Sequence, residues 1–503
     1  MTQPFYPSLI ELNTRVLLRD VGPRATLDEL PDALLDRLAA QGFDWVWMLG
    51  VWQTGPAGRQ LSRENADWRR GYAASLPDFT DDDIGGSPFA VCGYTVHADF
   101  GGDAALARLR ERLRRRGVRL LLDFVPNHTA LDHPWVRSHP EYYIHGSEND
   151  LAREPHNYRR VETGPFPAVL AHGRDPYFPG WPDTFQLNYR HPGLRRAMID
   201  ELKSVVERCD GVRCDMAMLL LPDVIAQTWG DQSRPSDGAV PVDELFWPAA
   251  IGEVRARRAD FVFLAEVYWD REWSLQRQGF DYTYDKRLYD RMHNGDGSSV
   301  RAHLGGGVDF QSHCARFLEN HDEPRAATAF LWEMHQPAAL LTYLTPGMRF
   351  FHDGQREGRR LHPSNHLGRR AVEPVDAQIA AFYDRLLDCL KRPEVRTGLW
   401  RLLTCRPAWD DNFTWNRFIV STWDDDAGRR LLVCVNYGPT QGQCYVEVPG
   451  EEWRGRSWRL RDLLSEDQFI RDGDDLAARG LYLDMPAWGG QVLEIQTGVG
   501  NRE

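Results

Sequence analysis

The sequence predicts an α/β protein built on a parallel sheet, and two observations support this fold class. Short apolar runs alternate with helical patterns over the first four fifths of the chain. Strands that alternate with helices are typical of a parallel sheet whose two faces are covered. Roughly eight such units over about 390 residues favour a (β/α)8 TIM barrel over an open sheet, although periodicity alone leaves both open. The remaining chain changes character and predicts a separate β-domain.

The first units of the pattern follow from the spacing of apolar residues. Leu9–Leu18 is rich in strand formers, and Trp45–Val51 is a second buried strand. The segment Thr26–Gln41 places its leucines at helical spacing between them. Asp103–Arg116 also carries leucines on one helical face, and Val118–Val125 follows it as an apolar strand.

The same alternation returns after residue 190. Gly193–Cys209 predicts a helix because its apolar residues recur at helical spacing. The apolar runs that predict further strands are Gly211–Asp215, Phe261–Val267, Cys314–Leu318 and Met348–His352.

Two stretches interrupt this rhythm. Residues 129–190 are rich in His, Pro, Tyr and Gly, and a loop of this length is normally a small inserted domain or a functional lid. After about Arg396, short alternating strands separated by turns predict an antiparallel β-sandwich. We therefore expect a barrel formed by residues 1–128 and 191–395, an inserted domain at 129–190 and a β-sandwich at 396–503. The predicted strands of the last domain are Phe418–Trp423, Leu431–Tyr437, Cys444–Val448 and Val492–Ile495.

Composition excludes several classes of partner. The net charge of −13 and the pI of about 5.7 argue against nucleic acid, whose phosphates would be repelled. No stretch approaches the roughly 20 apolar residues that span a bilayer, and the first residues lack a signal-peptide pattern. The eight cysteines show no CxxC pair and no metal spacing, which predicts reduced thiols and a cytoplasmic location. The sequence carries no signal for an oligomeric state.

Acidic residues recur where the predicted barrel strands end. Asp123, Asp215 and Glu266 close three strands, and Asp322 follows a fourth. In a barrel these strand ends surround one mouth, so the four side chains would converge. Each carboxylate alone is more readily explained as a helix cap or an ion-pair partner, and Asp123 most of all. Four such residues at four strand ends favour a functional site.

The chemistry available to such a set is that of glycoside hydrolysis. Carboxylates in one partly dry cleft cannot all ionise freely, so one can stay a proton donor while another is a nucleophile. Retaining enzymes place these two groups about 5–5.5 Å apart. Arg213 lies two residues before Asp215 on a strand, so both side chains point to one side and can form a charge-assisted hydrogen bond. His128 and His321 can donate hydrogen bonds to sugar hydroxyls.

Four segments resemble the signatures of the α-amylase superfamily, glycoside hydrolase family 13, in the family's order. They are Asp123-Phe-Val-Pro-Asn127-His128, Gly211-Val-Arg213-Cys-Asp215, Phe263-Leu-Ala-Glu266 and Phe317-Leu-Glu-Asn320-His321-Asp322. The resemblance covers the whole chain. It implies a barrel with an inserted domain after the third strand and a C-terminal β-sandwich.

The resemblance also implies a role for each site residue. Asp215 would attack the anomeric carbon, and Glu266 would protonate the leaving oxygen and then deprotonate the acceptor. Asp322 would bind hydroxyls of the distorted sugar, and Arg213 would orient Asp215.

The remaining candidates are substrate-binding residues by the same resemblance. His128 and His321 would contact the sugar, and Tyr94 resembles the family's tyrosine platform, which would stack on it. Asp123 would support the site from the barrel interior.

Two departures from the family pattern are informative. Met218 and Leu219 stand where many amylases carry a Lys-His pair, so recognition on the acceptor side must differ. Asn127 matches a residue that binds calcium in many relatives, but Gln186 stands where calcium-binding members have Asp. Because calcium prefers six to eight oxygen ligands that include several carboxylates, we expect no required cofactor and no calcium here, with Asn127 as the remaining candidate ligand.

The resulting hypothesis is a retaining α-glycosidase acting on α-glucosidic bonds of α-glucans, malto-oligosaccharides or related glucosides. A transglycosidase, of glucanotransferase or sucrose/trehalose type, and a phosphorylase share its first half-reaction and stay open as alternatives. No phosphate-binding glycine-rich loop or basic cluster is visible, although arginines gathered by the fold would not be seen at this level. A non-catalytic glucan-binding protein is the other alternative, but such proteins usually lack a catalytic acid that this chain retains.

Overall fold

The computed structural model describes residues 6–163, 167–234, 241, 243–450 and 452–497. Eight parallel strands form a closed barrel in which chain order is also the order around the barrel. This confirms the predicted (β/α)8 class and excludes the open sheet. The strands are β1 (Ser8–Asn13), β2 (Trp45–Leu49), β3 (Arg119–Phe124), β4 (Gly211–Cys214), β5 (Val262–Ala265), β6 (Tyr282–Tyr284), β7 (Cys314–Arg316) and β8 (Met348–His352).

Three elements differ from the sequence prediction. The predicted helix Thr26–Gln41 is divided into a 3-10 turn at Leu27–Glu29 and the helix Asp32–Ala40, which begins after Pro31. The predicted strand Leu9–Leu18 ends at Asn13, because the Asn13 side chain accepts a hydrogen bond from the backbone N–H of Val16 and caps the helix Thr14–Val21. Strand β6 was not predicted at all. It has three residues, which is too short for a recognisable period, and its hydrogen bonds to β5 and β7 define it.

The helices pack around the barrel through one apolar face. In Gly102–Arg114, for example, Leu106, Leu109 and Leu113 are buried, and Gly117 adopts a left-handed conformation after the helix. The longer helices are Thr14–Val21, Asp32–Ala40, Pro56–Glu64, Ala66–Ser75, Gly102–Arg114, Pro192–Val206, Pro222–Trp229, Phe246–Arg255, Lys286–His293, Gly297–Leu304, Trp332–Tyr343 and Ala377–Leu390. Shorter helices are Trp135–Ser138, Glu148–Arg153, Glu272–Gln276, Val308–Ser312, Ala326–Ala329, Pro393–Thr397 and Gly473–Arg479.

The chain between β3 and β4 forms small antiparallel sheets before it returns to the barrel. His128–Ala130 pairs with Thr184–Gln186, which fastens the two ends of the insertion together. A three-stranded sheet contains His145–Gly146, Pro167–Ala171 and Tyr158–Glu162 in that order. The first of these paired strands begins at His128.

The last part of the chain forms two antiparallel sheets over one hydrophobic core. That core includes Phe418, Leu432, Cys444 and Leu483. The larger sheet contains, in spatial order, Leu399–Leu402, Phe418–Asp424, Arg430–Asn436, Gly490–Thr497, Ser457–Asp462 and Gln468–Asp472. The smaller sheet contains Cys405–Arg406, Gly442–Val446 and Leu481–Met485. Among the residues described, no helix combines the length and apolar character needed to cross a bilayer.

Candidate active site

The carboxyl ends of four barrel strands place the predicted acidic residues in one region. Asp215 follows β4 directly, and its backbone N–H donates to the carbonyl of Phe124 on β3 at 2.8 Å. Glu266 follows β5, and its N–H donates to the carbonyl of Cys214 at 3.0 Å. These hydrogen bonds continue the barrel ladder past the strand ends, so the backbone holds both acids rigidly.

Arg213 connects the two acids through a single guanidinium group. Its Nη1 donates to Asp215 Oδ1 at 2.5 Å, and its Nη2 donates to Glu266 Oε2 at 2.7 Å. All three side chains are almost completely buried. Because one planar guanidinium spans both contacts, the two carboxyl groups are held close together, which is compatible with the separation of about 5 Å that retaining glycosidases need.

Glu266 has the surroundings of a proton donor. Burial raises its pKa, the charges of Asp215 and Asp322 raise it further, and Arg213 opposes them, so the pKa reaches about 7. The backbone N–H of Met216 donates to Oε2 at 2.7 Å and the Tyr268 hydroxyl donates to Oε1 at 2.9 Å. A carboxyl group with this pKa is substantially protonated near neutral pH.

The backbone is strained shortly after each of the two strands that carry Asp215 and Glu266. Met216, which presents its N–H to Glu266, has a φ of 41°, and Trp269 and Asp270 have φ values of 61° and 62°. Residues other than glycine rarely adopt the left-handed region, and such strain is concentrated at functional sites.

Asp322 differs from the other two acids in its exposure and its charge state. Its side chain is 46% exposed, whereas those of Asp215 and Glu266 are 7% and 4% exposed. Burial alone would raise its pKa, but the imidazole of His321, 3.1 Å from Oδ2, lowers it to about 2. Asp322 is therefore an ionised carboxylate that is open to solvent.

His321 is itself held by an acid that the sequence analysis missed. Its Nδ1 lies 2.5 Å from Oε1 of Glu11, a completely buried residue of β1. Burial lowers the pKa of His321, but the carboxylates of Asp322 and Glu11 outweigh burial and raise it well above its usual value. The signal was present in the sequence, since Glu11 is a lone carboxylate inside an apolar strand.

Asp123 lies beneath these groups, in the barrel wall. Its carboxylate accepts hydrogen bonds from Trp47 Nε1 at 3.1 Å and from the N–H of Gly50 at 2.7 Å. The nearest nitrogen of Arg213 is 4.0 Å away. Burial raises the pKa of Asp123 to about 6, although Arg213 opposes the shift. These contacts describe a residue that supports Arg213 from below.

The ring of Phe89, and not that of Tyr94, packs against Arg213 and His321. The Phe89 ring is 5.3 Å from the His321 ring and 5.1 Å from the Arg213 guanidinium. The hydroxyl of Tyr94 instead donates to the carbonyl of Val125 at 3.0 Å and accepts from its N–H at 2.9 Å. This packing argues against the predicted stacking role of Tyr94, because its polar end is committed to the backbone of the barrel.

His128 lies on the insertion side of the site. Burial lowers its pKa, although the charge of Asp215 opposes this, so the imidazole is neutral at neutral pH. Its ring packs 5.2 Å from that of Trp181, which belongs to the insertion. His128 therefore joins the acids on the barrel to the inserted segment.

The surroundings of Asn127, the remaining candidate ligand for calcium, do not fit a cation. The side-chain amide nitrogen of Gln186 donates to Asn127 Oδ1 at 2.9 Å, to the Asn127 carbonyl at 3.0 Å and to the Leu187 carbonyl at 3.1 Å. An N–H donor thus occupies the place that an oxygen-seeking ion would need. Within the described residues, no group of three or more His, Cys, Asp or Glu side chains could hold a metal ion.

Comparison with known proteins gives the same family as the motifs. The model of the α-amylase catalytic domain matches residues 93–366, more than half of the chain. The α-amylase MalA of Haloarcula japonica is 28% identical over 66% of this chain and 42% of its own length. An α-1,4-glucan:maltose-1-phosphate maltosyltransferase of Salinibacter ruber is 30% identical over 35% of this chain and 27% of its own length. The matches thus span half or less of these curated relatives.

Solved structures share the fold over almost the whole chain. A noncanonic maltogenic α-amylase, AmyB of Thermotoga neapolitana, superposes with a TM-score of 0.67 at 18% identity and covers 97% of this chain and 98% of its own. An α-amylase of Geobacillus thermoleovorans, solved in complex with acarbose, gives 0.65 at 16% identity and covers 99% of this chain and 100% of its own. With the match to the catalytic-domain model, the closed barrel and the acids at its strand ends, the chain belongs to the α-amylase family.

Proposed function

We propose that this protein is a retaining α-glycosidase or transglycosidase that acts on α-glucosidic bonds. The observation that carries the proposal is the pair of carboxyl groups on Arg213. Asp215 accepts a hydrogen bond of 2.5 Å from Arg213. The pKa of Glu266, in contrast, is raised to about 7. One group is suited to nucleophilic attack and the other to proton donation, as double displacement requires.

In the first half-reaction, Asp215 attacks the anomeric carbon while Glu266 transfers its proton to the glycosidic oxygen. The bond from the anomeric carbon to that oxygen breaks, the leaving group departs as an alcohol, and a β-glycosyl ester forms on Asp215. In the second, Glu266, now a carboxylate, takes a proton from water or from a sugar hydroxyl. The resulting nucleophile displaces Asp215 and restores the α configuration.

The other residues hold the sugar during these steps. Asp322 is ionised and solvent-accessible, so it can accept hydrogen bonds from hydroxyls and stabilise positive charge on the distorted ring. Protonated His321 and neutral His128 supply N–H donors on two sides. We assign the stacking face to Phe89 because it packs against both Arg213 and His321.

The assignment of Phe89 has its own test. Replacing it with Leu removes the aromatic face, and we expect KM to rise by about three- to tenfold, the size of an aromatic contact. Phe89→Tyr restores a ring and is the matched control, with a KM near that of the wild type. An unchanged KM in Phe89→Leu would rule out stacking at this position.

The acceptor side decides between hydrolysis and transfer. Met218 and Leu219, which replace the Lys-His pair of many amylases, are buried and add no charged group to that side. The partly exposed aromatic residues Trp269 and Tyr177, with ring centroids 4.9 Å apart, lie where the insertion meets the loop after Glu266. An apolar and aromatic acceptor side binds a sugar ring by its face and leaves both water and sugar as possible acceptors.

The direct experiment is product analysis with malto-oligosaccharides, sucrose and trehalose, each with and without an added sugar acceptor or phosphate. Anomeric NMR should show products released first in the α configuration. Asp215→Asn should lower kcat by several orders of magnitude while substrate binding persists. β-configured first products would contradict the retaining mechanism, and binding without any turnover in the wild type would identify a non-catalytic member.

The domain organisation and the cellular location belong to the same proposal. The barrel strands before and after the insertion support a catalytic domain made of residues 1–128 and 191–395, with the insertion at 129–190. The antiparallel sheets from Leu399 onward support a C-terminal domain at 396–503. All eight cysteines are free thiols, which supports a cytoplasmic location.

A further inference from the structure

A pocket of about 730 Å³ lies beside the catalytic cleft, between the loops that follow β1 and β2. Four arginines, Arg15, Arg19, Arg24 and Arg59, line it. Arg15, Arg19 and Arg24 belong to the helix Thr14–Val21 and the loop after it, and the fold adds Arg59 from the helix Pro56–Glu64. The pocket is large enough for a small organic ligand, for which volumes of about 300–1,000 Å³ are typical.

Within the ranges that the structure describes, the four guanidinium groups of this pocket are not paired directly with carboxylates. In the described part of the chain, none of these four guanidinium groups forms an ion pair with a carboxylate. Arg15 donates to the Thr54 hydroxyl at 3.0 Å and Arg59 Nε donates to the carbonyl of Ile84 at 2.8 Å, so their hydrogen-bond partners are uncharged. Burial, followed by repulsion from Arg59, lowers the pKa of Arg15 to about 10, against the opposing effect of Asp99.

The carboxylates that line the pocket have different roles. Asp83 is occupied, because both of its oxygens accept hydrogen bonds from Arg369, at 3.0 and 3.1 Å. Asp82 and Asp99 are exposed, and Asp99 lies 3.7 Å from His97 without a closer partner. The pocket therefore offers guanidinium donors together with carboxylate acceptors that remain free.

We propose that this pocket binds a phosphorylated sugar. Guanidinium groups bind phosphate through paired, charge-assisted hydrogen bonds, and an anion between Arg15 and Arg59 would relieve their mutual repulsion. The free carboxylates suit sugar hydroxyls, which inorganic phosphate lacks. The volume also exceeds what a single phosphate ion would fill.

The pocket is separate from the catalytic centre but shares a chain segment with it. Arg15 donates to the carbonyl of Gly86 and Arg59 to that of Ile84, on the pocket side. Phe89, three residues after Gly86, contacts Arg213 and His321 on the catalytic side. A ligand in the pocket therefore contacts side chains that hold the backbone of this segment.

Isothermal titration calorimetry of the full chain tests the proposal with glucose 6-phosphate, inorganic phosphate and glucose as separate ligands. None of these contains a glycosidic bond, so the result does not depend on the proposed catalytic function. We expect glucose 6-phosphate to bind at least about tenfold more tightly than the other two, and more weakly as salt rises. Equal binding of phosphate and glucose 6-phosphate, or no binding of the sugar phosphate, would overturn the proposal.

Two variants locate the site. The double variant Arg24→Gln/Arg59→Gln changes exposed side chains and should raise the Kd for glucose 6-phosphate by about tenfold or more. Arg257→Gln, an exposed arginine outside the pocket, is the matched control and should bind as the wild type does. Unchanged affinity in the double variant, with its fold verified by circular dichroism and thermal unfolding, would place the ligand elsewhere and refute the assignment.

Discussion

The hydroxyl of Tyr268 offers a direct way to test the proton-donor role of Glu266. It donates to Glu266 Oε1 at 2.9 Å and therefore stabilises the ionised carboxylate more than the protonated one. Tyr268→Phe removes this donor and retains the ring. We expect the pKa of Glu266 to rise above its value of about 7.

The size of the shift follows from the strength of the lost contact. A hydrogen bond to a charged group contributes about 1.5–3 kcal/mol, and one pKa unit corresponds to about 1.4 kcal/mol. The expected rise is therefore about one to two units. Activity requires protonated Glu266, so it is lost as pH rises through this pKa. The basic limb of the profile should lie near pH 7 in the wild type and near pH 8 or above in the variant.

The assay is kcat/KM for a malto-oligosaccharide between about pH 5 and pH 9, since this ratio reports the free enzyme. Tyr437→Phe is the matched control, because that buried hydroxyl donates to the carbonyl of Met292 at 2.7 Å, away from Glu266. A basic limb that stays in place or moves to lower pH in Tyr268→Phe would refute the reasoning. A wild-type limb near pH 4.5 would show that burial does not raise the pKa of Glu266.

Three further predictions concern the surrounding contacts. Arg213→Met should lower the free energy of unfolding by about 3–5 kcal/mol, because Asp215 and Glu266 lose their shared buried cation. The measurement is urea denaturation, and an unchanged midpoint would argue against the contact of Arg213 with both acids. Glu11→Gln should lower the pKa of His321, because it removes one of the two carboxylates that raise it. The check is an NMR titration of the His321 imidazole, and an unchanged pKa would mean that Glu11 does not hold the proton on His321. Gln186→Leu should cost about 1–3 kcal/mol in thermal unfolding, because the oxygens of Asn127 lose their donor. EDTA should leave the wild-type Tm unchanged, and a Tm lowered by EDTA would contradict the expectation that no calcium is bound at this position.

The amino-acid sequence was sufficient to predict the barrel and the location of its acids. Strands such as Val118–Val125 and Met348–His352 are continuous apolar runs, and burial on both faces requires that composition. Asp215 and Glu266 follow such runs immediately, so their position in the chain already places them at strand ends. The positions of these acids at strand ends can therefore be predicted from the apolar runs that precede them.

Several features needed the tertiary structure because they join residues that are distant in the chain. The pairing of Glu11 with His321 connects residues 310 positions apart, and no local pattern links them. Tyr94 and Phe89 are five residues apart in one segment, so only packing decides which ring faces Arg213. The side-chain amide of Gln186 donates to the backbone and side-chain oxygens of Asn127, and this contact also joins residues that are distant in the chain.

What the sequence determined by itself was the fold class and the identity of the acids at the strand ends. Hydrophobic periodicity gave the alternating strands and helices, and the number of units and the resemblance of the four motifs favoured a barrel over an open sheet. All of these are readable from the chain itself. The tertiary structure alone decided which groups surround those acids, which aromatic ring lies beside them and that four arginines share one pocket. Charge interactions and burial depend on distance in space, and closing the barrel sets those distances.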